Sequence, residues 1–451
     1  MKIKLYRSAT VGIDINGFKI LQDPWLTDGE YYGSWSHYPY YDLISNIDEI
    51  NSYNAIYVSH IHPDHCSPKT MKLINKKIPV YIHRFHKKFL KMNLERLGFK
   101  VIELENGKKN EISKNVNIRI FAADNCDPEL CYKFTGCGDL SVKSGSDQID
   151  TLSVLDDNKN VIVNVNDCPF ELAKSTFKNI KKNYDKIDLL LGGYGGAGPY
   201  PQCFENLDIN QKKIAAKKKE DQFLDQSINF VKELKPKHYL PFAGTYTLTG
   251  NLSKLQNLRG IPSIDYAYKY FDEYFKNHKN ISNTKTLKLN NDETFDLSIN
   301  ECTKPYEKIN YEDYNHYIEK KLKNKKLQYE NNQMPSFDEI YELSKGAFKK
   351  FLEKKLMNNV NLNTDIYVDV KDKYIKLPKN KKELDIIAKD KFDKNSKHVI
   401  YQTDIRMLHL LLKGPKYAHW NNAEIGSHIK FFRNPDVFER HVYLSMCFFH
   451  N

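Results

Sequence analysis

The sequence predicts an α/β protein in which helices cover a β-sheet, followed by a smaller α+β domain. Short apolar runs typical of buried strands alternate with charged segments of helical character through the first half of the chain. The 451 residues exceed what one ordinary hydrophobic core accommodates. Residues 280–340 are polar and rich in Asn and Lys, which indicates a junction. We therefore expect a larger domain at 1–285, a linker or helical connection at 286–340, and an accessory domain at 341–451.

The strands of the larger domain are indicated by apolar runs between turn residues. Residues 9–15 and 18–21 flank Asn16-Gly17, a pair that supplies the positive φ angles of a hairpin turn. Residues 55–59 have the composition of a buried strand. Further strands are predicted at 79–82, 101–104, 116–122, 151–155, 161–165, 187–191 and 239–240, with helices at 69–75 and 208–235. In the smaller domain we expect helices at 340–356 and 404–412 and strands near 365–370.

The composition excludes several classes of protein. Apolar residues make up 40% of the chain and aromatic residues 13%, whereas long disordered stretches are poor in aromatics. The formal net charge of +12 fits nucleic acid, an anionic membrane surface or acidic small molecules as partners. The lysines, however, are spread along the chain without an arginine-rich cluster or a nucleic-acid motif, which favours solvated faces. We expect no nucleic-acid partner, and the charge is consistent with an anionic small-molecule substrate.

Nothing in the sequence indicates export or membrane insertion. Residues 1–7 lack the apolar core of a signal peptide, and no window approaches about eighteen uninterrupted apolar residues. The eight cysteines are irregularly spaced, as expected for reduced thiols. A cytoplasmic protein without a membrane span is the expectation, and the oligomeric state is left open.

The strongest chemical signal is the segment His-Ile-His-Pro-Asp-His at residues 60–65, directly after the predicted strand at 55–59. At these spacings the side chains cannot share one side of a helix or strand, but they can converge in a tight loop. Imidazole nitrogen and carboxylate oxygen suit zinc, iron or manganese, and a strand end is a rigid platform for them. The alternative is a set of histidines exposed in a polar turn. We interpret the segment as a metal-binding loop with candidate ligands His60, His62, Asp64 and His65.

The pattern His-x-His-x-Asp-His after an apolar strand resembles the metallo-β-lactamase superfamily. The resemblance implies an αββα sandwich with a catalytic role for residues 1–285. In that family the first two histidines bind one metal ion, while the Asp and the last histidine bind a second. Carried over to this sequence, His60 and His62 belong to the first site, and Asp64 and His65 belong to the second.

Two further ligands are implied by the resemblance. Asp124 follows the predicted strand at 116–122 and stands where the family usually has His. Asp167 follows the strand at 161–165 and matches the Asp that bridges the metals, the alternative being a strand-end turn residue. The fifth motif departs from the family, because residues 240–245 contain no histidine and His238 precedes the strand. The expected cofactor is therefore two divalent ions, zinc or iron with manganese as a further option, or a single ion.

Five further segments narrow the resemblance to the lactamase-like domain of CMP-N-acetylneuraminate hydroxylases, which bacterial hydroxylases of UDP-linked amino sugars share. They are Asp-Pro-Trp-Leu at 23–26, Asp-Thr at 150–151, Asn-Asp-Cys at 166–168, Gly-Ala-Gly-Pro-Tyr-Pro at 196–201 and Pro-Phe-Ala-Gly at 241–244. Those enzymes hydroxylate an N-acetyl methyl group with iron and an electron-delivering Rieske cluster. Such a cluster needs a Cys-x-His and a Cys-x-x-His pair. This sequence has no Cys-x-His, and its Cys-x-x-His, Cys447 with His450, lacks a partner pair.

The first functional hypothesis is a metal-dependent hydrolase acting on an anionic substrate such as a sugar nucleotide or amide. A metal ion lowers the pKa of bound water toward neutrality, and Asp64 could both ligate the metal and orient the nucleophile. The glycine-rich stretch at 192–198 can bring backbone amides close to an anion, although a turn near the sheet edge explains it equally well. The candidate substrate-binding residues are Gly195, Gly196, Gly198 and Tyr200.

Two other hypotheses remain open. Mixed His and carboxylate ligation suits an iron-dependent oxygenase, which would receive electrons from a separate electron-transfer protein or from the substrate. A binding protein with a structural metal is the third reading, since the fifth-motif histidine is missing.

The C-terminal part is less informative. Residues 404–426 resemble the tail segment that accompanies such lactamase-like domains in bacterial proteins, and they also resemble sterol-carrier-like folds, which implies a binding or lid module. Trp420, Asn421 and Glu424 could face a substrate, or they could form a packed aromatic cluster with satisfied polar neighbours. His83 and His86 are interpreted as surface or core residues.

Overall fold

Two large β-sheets form the centre of the N-terminal part. The computed structural model describes residues 1–127, 129–130, 149–357 and 360–451. The first sheet has the strand order β17-β16-β1-β2-β3-β5-β6-β7, and the second has the order β15-β13-β12-β11-β10-β9-β8. Their strands are β1 Lys2–Arg7, β2 Thr10–Ile15, β3 Phe18–Gln22, β5 Ala55–Tyr57, β6 Val80–His83, β7 Val101–Leu104, β8 Asn110–Ser113, β9 Val116–Ala122, β10 Thr151–Asp156, β11 Val161–Asn164, β12 Leu189–Gly193, β13 His238–Phe242, β15 Lys285–Thr286, β16 Thr294–Asp296 and β17 Glu301–Cys302.

The two sheets pack face to face through one continuous apolar core. Ile13 and Tyr57 from the first sheet meet Ile120, Leu191 and Leu240 from the second in this core. Helices cover both outer faces. Those on the first sheet are Ile47–Asn51, Pro68–Leu73 and Phe89–Arg96, and those on the second are Phe170–Asn183, Ile209–Leu234 and Ile264–Asn277. The αββα sandwich predicted for this part of the chain is confirmed by this layering.

A third sheet forms the core of the C-terminal part. Its order is β20-β19-β18-β21-β22, from Asp385–Ala388, Lys373–Leu377, Asp365–Val370, His398–Gln402 and Lys430–Asn434. The apolar side of this mixed sheet packs on the helices Phe337–Met357, Ile405–Lys413, Trp420–Ile425 and Arg440–Met446. Phe204, from the loop after β12, pairs with Phe431 of β22 and stacks on its ring, so the two parts are in contact.

The segment between the two parts is more structured than its polar composition indicates. β15 extends the second sheet, and β16 and β17 extend the first sheet to Cys302. The helix Tyr311–Tyr317 and the short helical turns Ile318–Leu322 and Gln328–Asn331 complete the connection. A two-stranded sheet of β4 Trp35–His37 and β14 Tyr246–Leu248 lies beside an aromatic cluster. The domain boundaries at 285 and 341 stay predictions, although the first sheet itself continues past 285.

No helix within the described ranges has both the length and the apolar character that crossing a bilayer requires. The longest, Ile209–Leu234, begins with a capping box at Asp208 and Gln211 and carries charged residues along its outer face.

Candidate metal centre

The predicted ligand segments meet at one edge of the two central sheets. β3 and β5 are parallel, so Asp23 and the histidine segment both follow carboxyl ends of strands in the first sheet. In the second sheet β11 and β12 are parallel, and Asp167 follows the carboxyl end of β11. Antiparallel β9 and β10 pair Ala122 with Thr151, which brings Asp124 to this edge too. The topology therefore gathers the polar residues at strand ends into one place.

A tight turn after β5 presents the histidines. The amides of His65 and Cys66 both donate to the carbonyl of His62, at 3.0 and 2.8 Å. From the second sheet, Thr151 Oγ1 donates to the carbonyl of Ser59 at 2.6 Å. His60 and His65 are buried, and His62 is half-buried. Because backbone bonds and the facing sheet fix the turn, the fold itself sets the positions of the three imidazoles.

Three side chains, His60, His65 and Asp167, lie close enough together to hold one metal ion, and His62 and Asp64 each lie beside one of them. His60 Nε2 lies 3.0 Å from His62 Nδ1 and 4.0 Å from Asp167 Oδ2. His65 Nε2 lies 3.4 Å from Asp167 Oδ1 and 3.6 Å from Asp64 Oδ2. The ligand atoms of His60, His65 and Asp167 all lie within 4.8 Å of one another. Two nitrogen ligands of a tetrahedral zinc ion lie about 3.3 Å from each other. The spacing of His60, His65 and Asp167 therefore fits a divalent cation.

Hydrogen bonds behind two of the histidines determine which ring nitrogen faces the centre. Ser59 Oγ donates to Asp23 Oδ2 at 2.7 Å, and it therefore accepts a proton from His60 Nδ1 at 3.0 Å. His65 Nδ1 donates to the same Asp23 oxygen at 2.8 Å. Both Nδ1 atoms are thus engaged away from the centre, and Nε2 of each ring faces Asp167. Such outer partners fix ring orientation and tautomer at metal sites.

Asp23 is a supporting residue that the sequence analysis did not identify. It is fully buried, it has a positive φ of 46°, and it also accepts the amide proton of Ser59 at 2.7 Å. The Asp-Pro-Trp-Leu segment was recognised only as part of the family resemblance. A carboxylate that directly follows a strand of the same parallel sheet is the signal that could have revealed it.

Asp64 is held by a tyrosine from the segment after β3. The Tyr31 hydroxyl donates to Asp64 Oδ1 at 2.5 Å, while Asp64 Oδ2 faces His65. Burial and the charge of Asp64 raise the pKa of Tyr31 well above its ordinary value, so the phenol keeps its proton. Tyr31 itself has a positive φ of 48°, which is uncommon for a bulky residue. The tyrosine fixes one carboxylate oxygen and leaves the other to the centre.

The charges in the centre depend on one another. Burial lowers the pKa of His60 well below its ordinary value, and the charges of His65 and His62 lower it further. Burial acts in the same direction on His65, but Asp167, Asp64 and Asp23 outweigh it and raise the pKa of His65 well above its ordinary value. His65 is therefore an imidazolium among carboxylates. A bound cation would replace its Nε2 proton, as deprotonated ligands require.

The predicted ligand Asp124 is buried directly after β9. Its Oδ1 accepts the amide proton of Cys126 at 3.0 Å, and it lies outside the group of His60, His65 and Asp167. The neighbouring Asp150 has its pKa raised to about 8, first by burial and then by the charge of Asp167. The role of Asp124 as a ligand stays a prediction.

The glycine-rich stretch follows β12 and begins beside the centre. A Cβ on Gly196 would lie 1.8 Å from the ring of Phe223, and one on Gly195 would lie 2.8 Å from Ile261. Close packing therefore explains two of these glycines, and the stretch continues to Tyr200, whose side chain is exposed. Substrate binding by Gly195, Gly196, Gly198 and Tyr200 stays a prediction.

The fifth-motif region contains no histidine beside the centre. Ala243 and Gly244 follow the carboxyl end of β13, where a Cβ on Gly244 would lie 2.7 Å from the Tyr194 ring. His238 lies at the opposite end of β13, where it contacts the ring of Phe295.

The C-terminal part reaches the centre through one of the three residues singled out in the sequence. Asn421 Oδ1 lies 3.1 Å from His62 Nε2. Trp420 is buried and donates from Nε1 to the carbonyl of Phe449, and Glu424 is buried in the same helix. Trp420 is therefore a packing residue, as the alternative interpretation of this cluster held.

Comparison with known proteins finds relatives that are similar to about half of this chain. No protein-family model matches the chain. The cytidine monophosphate-N-acetylneuraminic acid hydroxylase of Danio rerio is 26% identical over 238 residues, which are 51% of this chain and 35% of that protein. The chain thus spans about a third of the length of this curated relative.

Two solved structures show partial similarity. Isothiocyanate hydrolase from Delia radicum gut bacteria has a TM-score of 0.44 and 16% identity, covering 66% of this chain and 99% of that chain. CmlA, a diiron β-hydroxylase from Streptomyces venezuelae, has a TM-score of 0.40 and 14% identity, covering 63% and 52%. Scores this low say nothing about activity. The resemblance predicted from the motifs is confirmed by the curated relatives: over about half of its length this chain is similar to CMP-N-acetylneuraminic acid hydroxylases.

Proposed function

We propose that the chain is a metal-dependent hydrolase that acts on an anionic substrate such as a sugar nucleotide or amide. The observation that supports this most directly is the convergence of three imidazoles and two carboxylates at one strand edge, with Nε2 of both buried histidines directed inward. A divalent ion held by His60, His62, Asp64, His65 and Asp167 would supply Lewis acidity and a water of lowered pKa.

Individual residues of the centre set the side of substrate approach, the orientation of the nucleophile and the orientation of the histidine rings. Asp167 is the most open of the carboxylates, with 40% of its side chain exposed, so substrate approaches from its side. Asp64 is fixed by the Tyr31 hydroxyl through one oxygen, and its other oxygen can orient a nucleophile and accept its proton. Asp23 and Ser59 keep His65 and His60 from rotating.

A specific observation also favours an iron-dependent hydroxylase. The curated relative is a hydroxylase whose name includes a sugar nucleotide, and its similarity covers about half of this chain. Mixed imidazole and carboxylate ligation suits iron as well as zinc. Since the sequence has no Cys-x-His pair for a Rieske cluster, electrons for such a reaction would come from a separate protein.

Loading the metal-free protein separately with zinc, manganese and iron distinguishes these activities. The substrate panel would contain CMP- and UDP-linked N-acyl amino sugars, with and without oxygen and a reductant. We expect hydrolysis by the zinc or manganese form without oxygen, whereas turnover that requires iron, reductant and oxygen would establish the hydroxylase instead. If chelation lowers the melting temperature and no form turns over any substrate, the centre is structural and the proposal is wrong.

A further inference from the structure

The third histidine of the centre is held in a different way from the other two. His62 directs Nδ1 toward His60 Nε2 at 3.0 Å, whereas His60 and His65 present Nε2 to the centre. Its other nitrogen, Nε2, lies 3.1 Å from Asn421 Oδ1. The two residues are 359 positions apart, and Asn421 belongs to the helix Trp420–Ile425 of the C-terminal part.

The chemistry of this contact specifies a tautomer. An amide oxygen accepts and cannot donate, so the His62 nitrogen that faces it carries the proton. A neutral imidazole has one proton, and placing it on Nε2 leaves the lone pair on Nδ1. That lone pair is directed at the position shared with His60, whose Nε2 also presents a lone pair 3.0 Å away. The arrangement therefore suits a cation between the two nitrogens, whereas in the metal-free protein a proton must lie between them. Without an acceptor at Nε2, the proton could occupy either nitrogen, and the ring would be free to turn.

Two further contacts fix the position of the helix that carries Asn421. The backbone amide of His419 donates to the Tyr32 hydroxyl at 2.7 Å. His428 Nε2 donates to the carbonyl of Tyr31 at 2.6 Å, and His428 Nδ1 lies 3.2 Å from the Tyr329 hydroxyl. Tyr31 is the residue that holds Asp64, so the segment from His419 to His428 contacts two neighbouring parts of the centre.

We propose that Asn421 is a positioning residue, which fixes His62 in the Nε2-protonated tautomer and thereby completes the metal centre from the C-terminal part of the chain. The inference rests on the proposed metal-dependent function for its purpose. The His62 tautomer in the zinc-bound protein and the zinc affinity, however, can both be measured without any turnover of substrate.

The test compares Asn421→Leu, which removes the acceptor at similar volume, with Asn421→Asp, which retains one. Asn422→Leu is the matched control, because the Asn422 side chain contacts the Tyr32 hydroxyl instead of His62. Nitrogen NMR of ¹⁵N-histidine-labelled, zinc-loaded protein reports which His62 nitrogen carries the proton and which one binds the metal. Competition with a chromophoric chelator reports zinc affinity.

We expect His62 to be protonated at Nε2 in the wild-type protein and in Asn421→Asp, and to lose this preference in Asn421→Leu. Zinc affinity should fall about tenfold or more in Asn421→Leu, and it should stay near the wild-type value in Asn421→Asp and Asn422→Leu. Wild-type His62 protonated at Nδ1 would overturn the inference, as would an Asn421→Leu variant with unchanged tautomer and affinity. A wild-type protein that binds zinc with the expected His62 tautomer, but turns over no substrate in any metal form, would refute the proposed function and leave the positioning role standing. A wild-type protein that binds no zinc would overturn both.

Discussion

The histidines of the centre are supported by two different regions of the molecule. His60 and His65 are held by Ser59 and Asp23, which follow adjacent parallel strands of the first sheet and are buried. His62 is held by Asn421 of the C-terminal part, where both side chains are half-buried. Ser59 and Asp23 cannot separate without disrupting the first sheet. The contact of Asn421 with His62 depends instead on how the C-terminal part packs against the N-terminal part.

This difference indicates that the two sets of supports have different roles, one in the stability of the fold and the other in metal binding. Buried hydrogen bonds to charged groups contribute to the stability of the fold, and removing one partner leaves the other without compensation. Breaking a half-exposed contact between two parts of the chain costs less free energy of folding. Its loss mainly affects the orientation of the ligand that the contact holds. We therefore expect changes around Asp23 to unfold the protein and changes around Asn421 to weaken metal binding.

The largest expected effect is that of Asp23→Ala. The buried carboxylate accepts from His65 Nδ1, the Ser59 hydroxyl and the Ser59 amide, and its removal leaves these three buried donors without their acceptor. The free energy of unfolding should fall by about 3–5 kcal/mol, measured by urea denaturation of the metal-free protein. Asp23→Asn keeps the shape and one acceptor oxygen, so it should be less destabilised. A loss below about 1 kcal/mol in Asp23→Ala would contradict the assignment of this region as the rigid support.

A buried acid in the C-terminal part should make the stability of the protein depend on pH. Glu424 is buried, its Oε1 has no hydrogen-bond partner among the described residues, and burial raises its pKa to about 8. The unfolded chain ionises this carboxyl above its ordinary pKa, while the folded protein keeps the proton until about pH 8. Stability is therefore highest in mild acid and is lost as the pH rises, by at most about 1.4 kcal/mol per pH unit in that interval.

Glu424→Gln should remove this dependence and raise the free energy of unfolding at pH 8 by up to about 4 kcal/mol, which is the slope taken from the ordinary pKa of 4.5 to the folded pKa of about 8. Denaturation curves at several pH values measure it. Glu353→Gln, on the exposed side of the helix Phe337–Met357, is the control and should leave the pH profile as in the wild type. An unchanged profile in Glu424→Gln would show that Glu424 is ionised in the folded protein.

The smallest expected change in stability is that of Tyr31→Phe, which removes the hydroxyl that holds Asp64. The unfolding free energy should fall by about 1.5 kcal/mol, and zinc affinity should fall about tenfold because Asp64 can then rotate. Tyr6→Phe is a matched control, since its buried hydroxyl bonds Glu49 and Tyr53 instead. It should cost similar stability and leave zinc affinity unchanged, and equal effects of the two variants on affinity would argue against a specific role of Tyr31.

Strands with apolar runs were predicted well from the sequence. The bounds Val101–Leu104, Val116–Ala122 and Asp365–Val370 agree with the prediction, and the hairpin at Asn16-Gly17 forms with positive φ at both residues. The short strands β15, β16 and β17 at the margins of the two sheets were not predicted. They are two or three residues long and largely polar, because strands at the margin of a sheet need neither two apolar faces nor a long ladder.

The candidate site was predicted in part. The spacing of His60, His62 and His65 indicated a shared loop, and the family resemblance implied Asp167 as a candidate ligand, which the structure places beside His60 and His65. The position of Asp23 at a strand end is visible in the sequence, but it was missed because only the parallel pairing of β3 with β5 brings it into contact with His65.

The sequence by itself determined the layered α/β architecture and the residue types that can hold a cation, because apolar periodicity and ligand chemistry are local properties. The tertiary structure decided which nitrogen each histidine presents, since that depends on an acceptor placed behind each ring by another strand or by the C-terminal part. A hydrogen bond between residues 359 positions apart leaves no pattern in the sequence. Only the packing of the two parts brings Asn421 to His62.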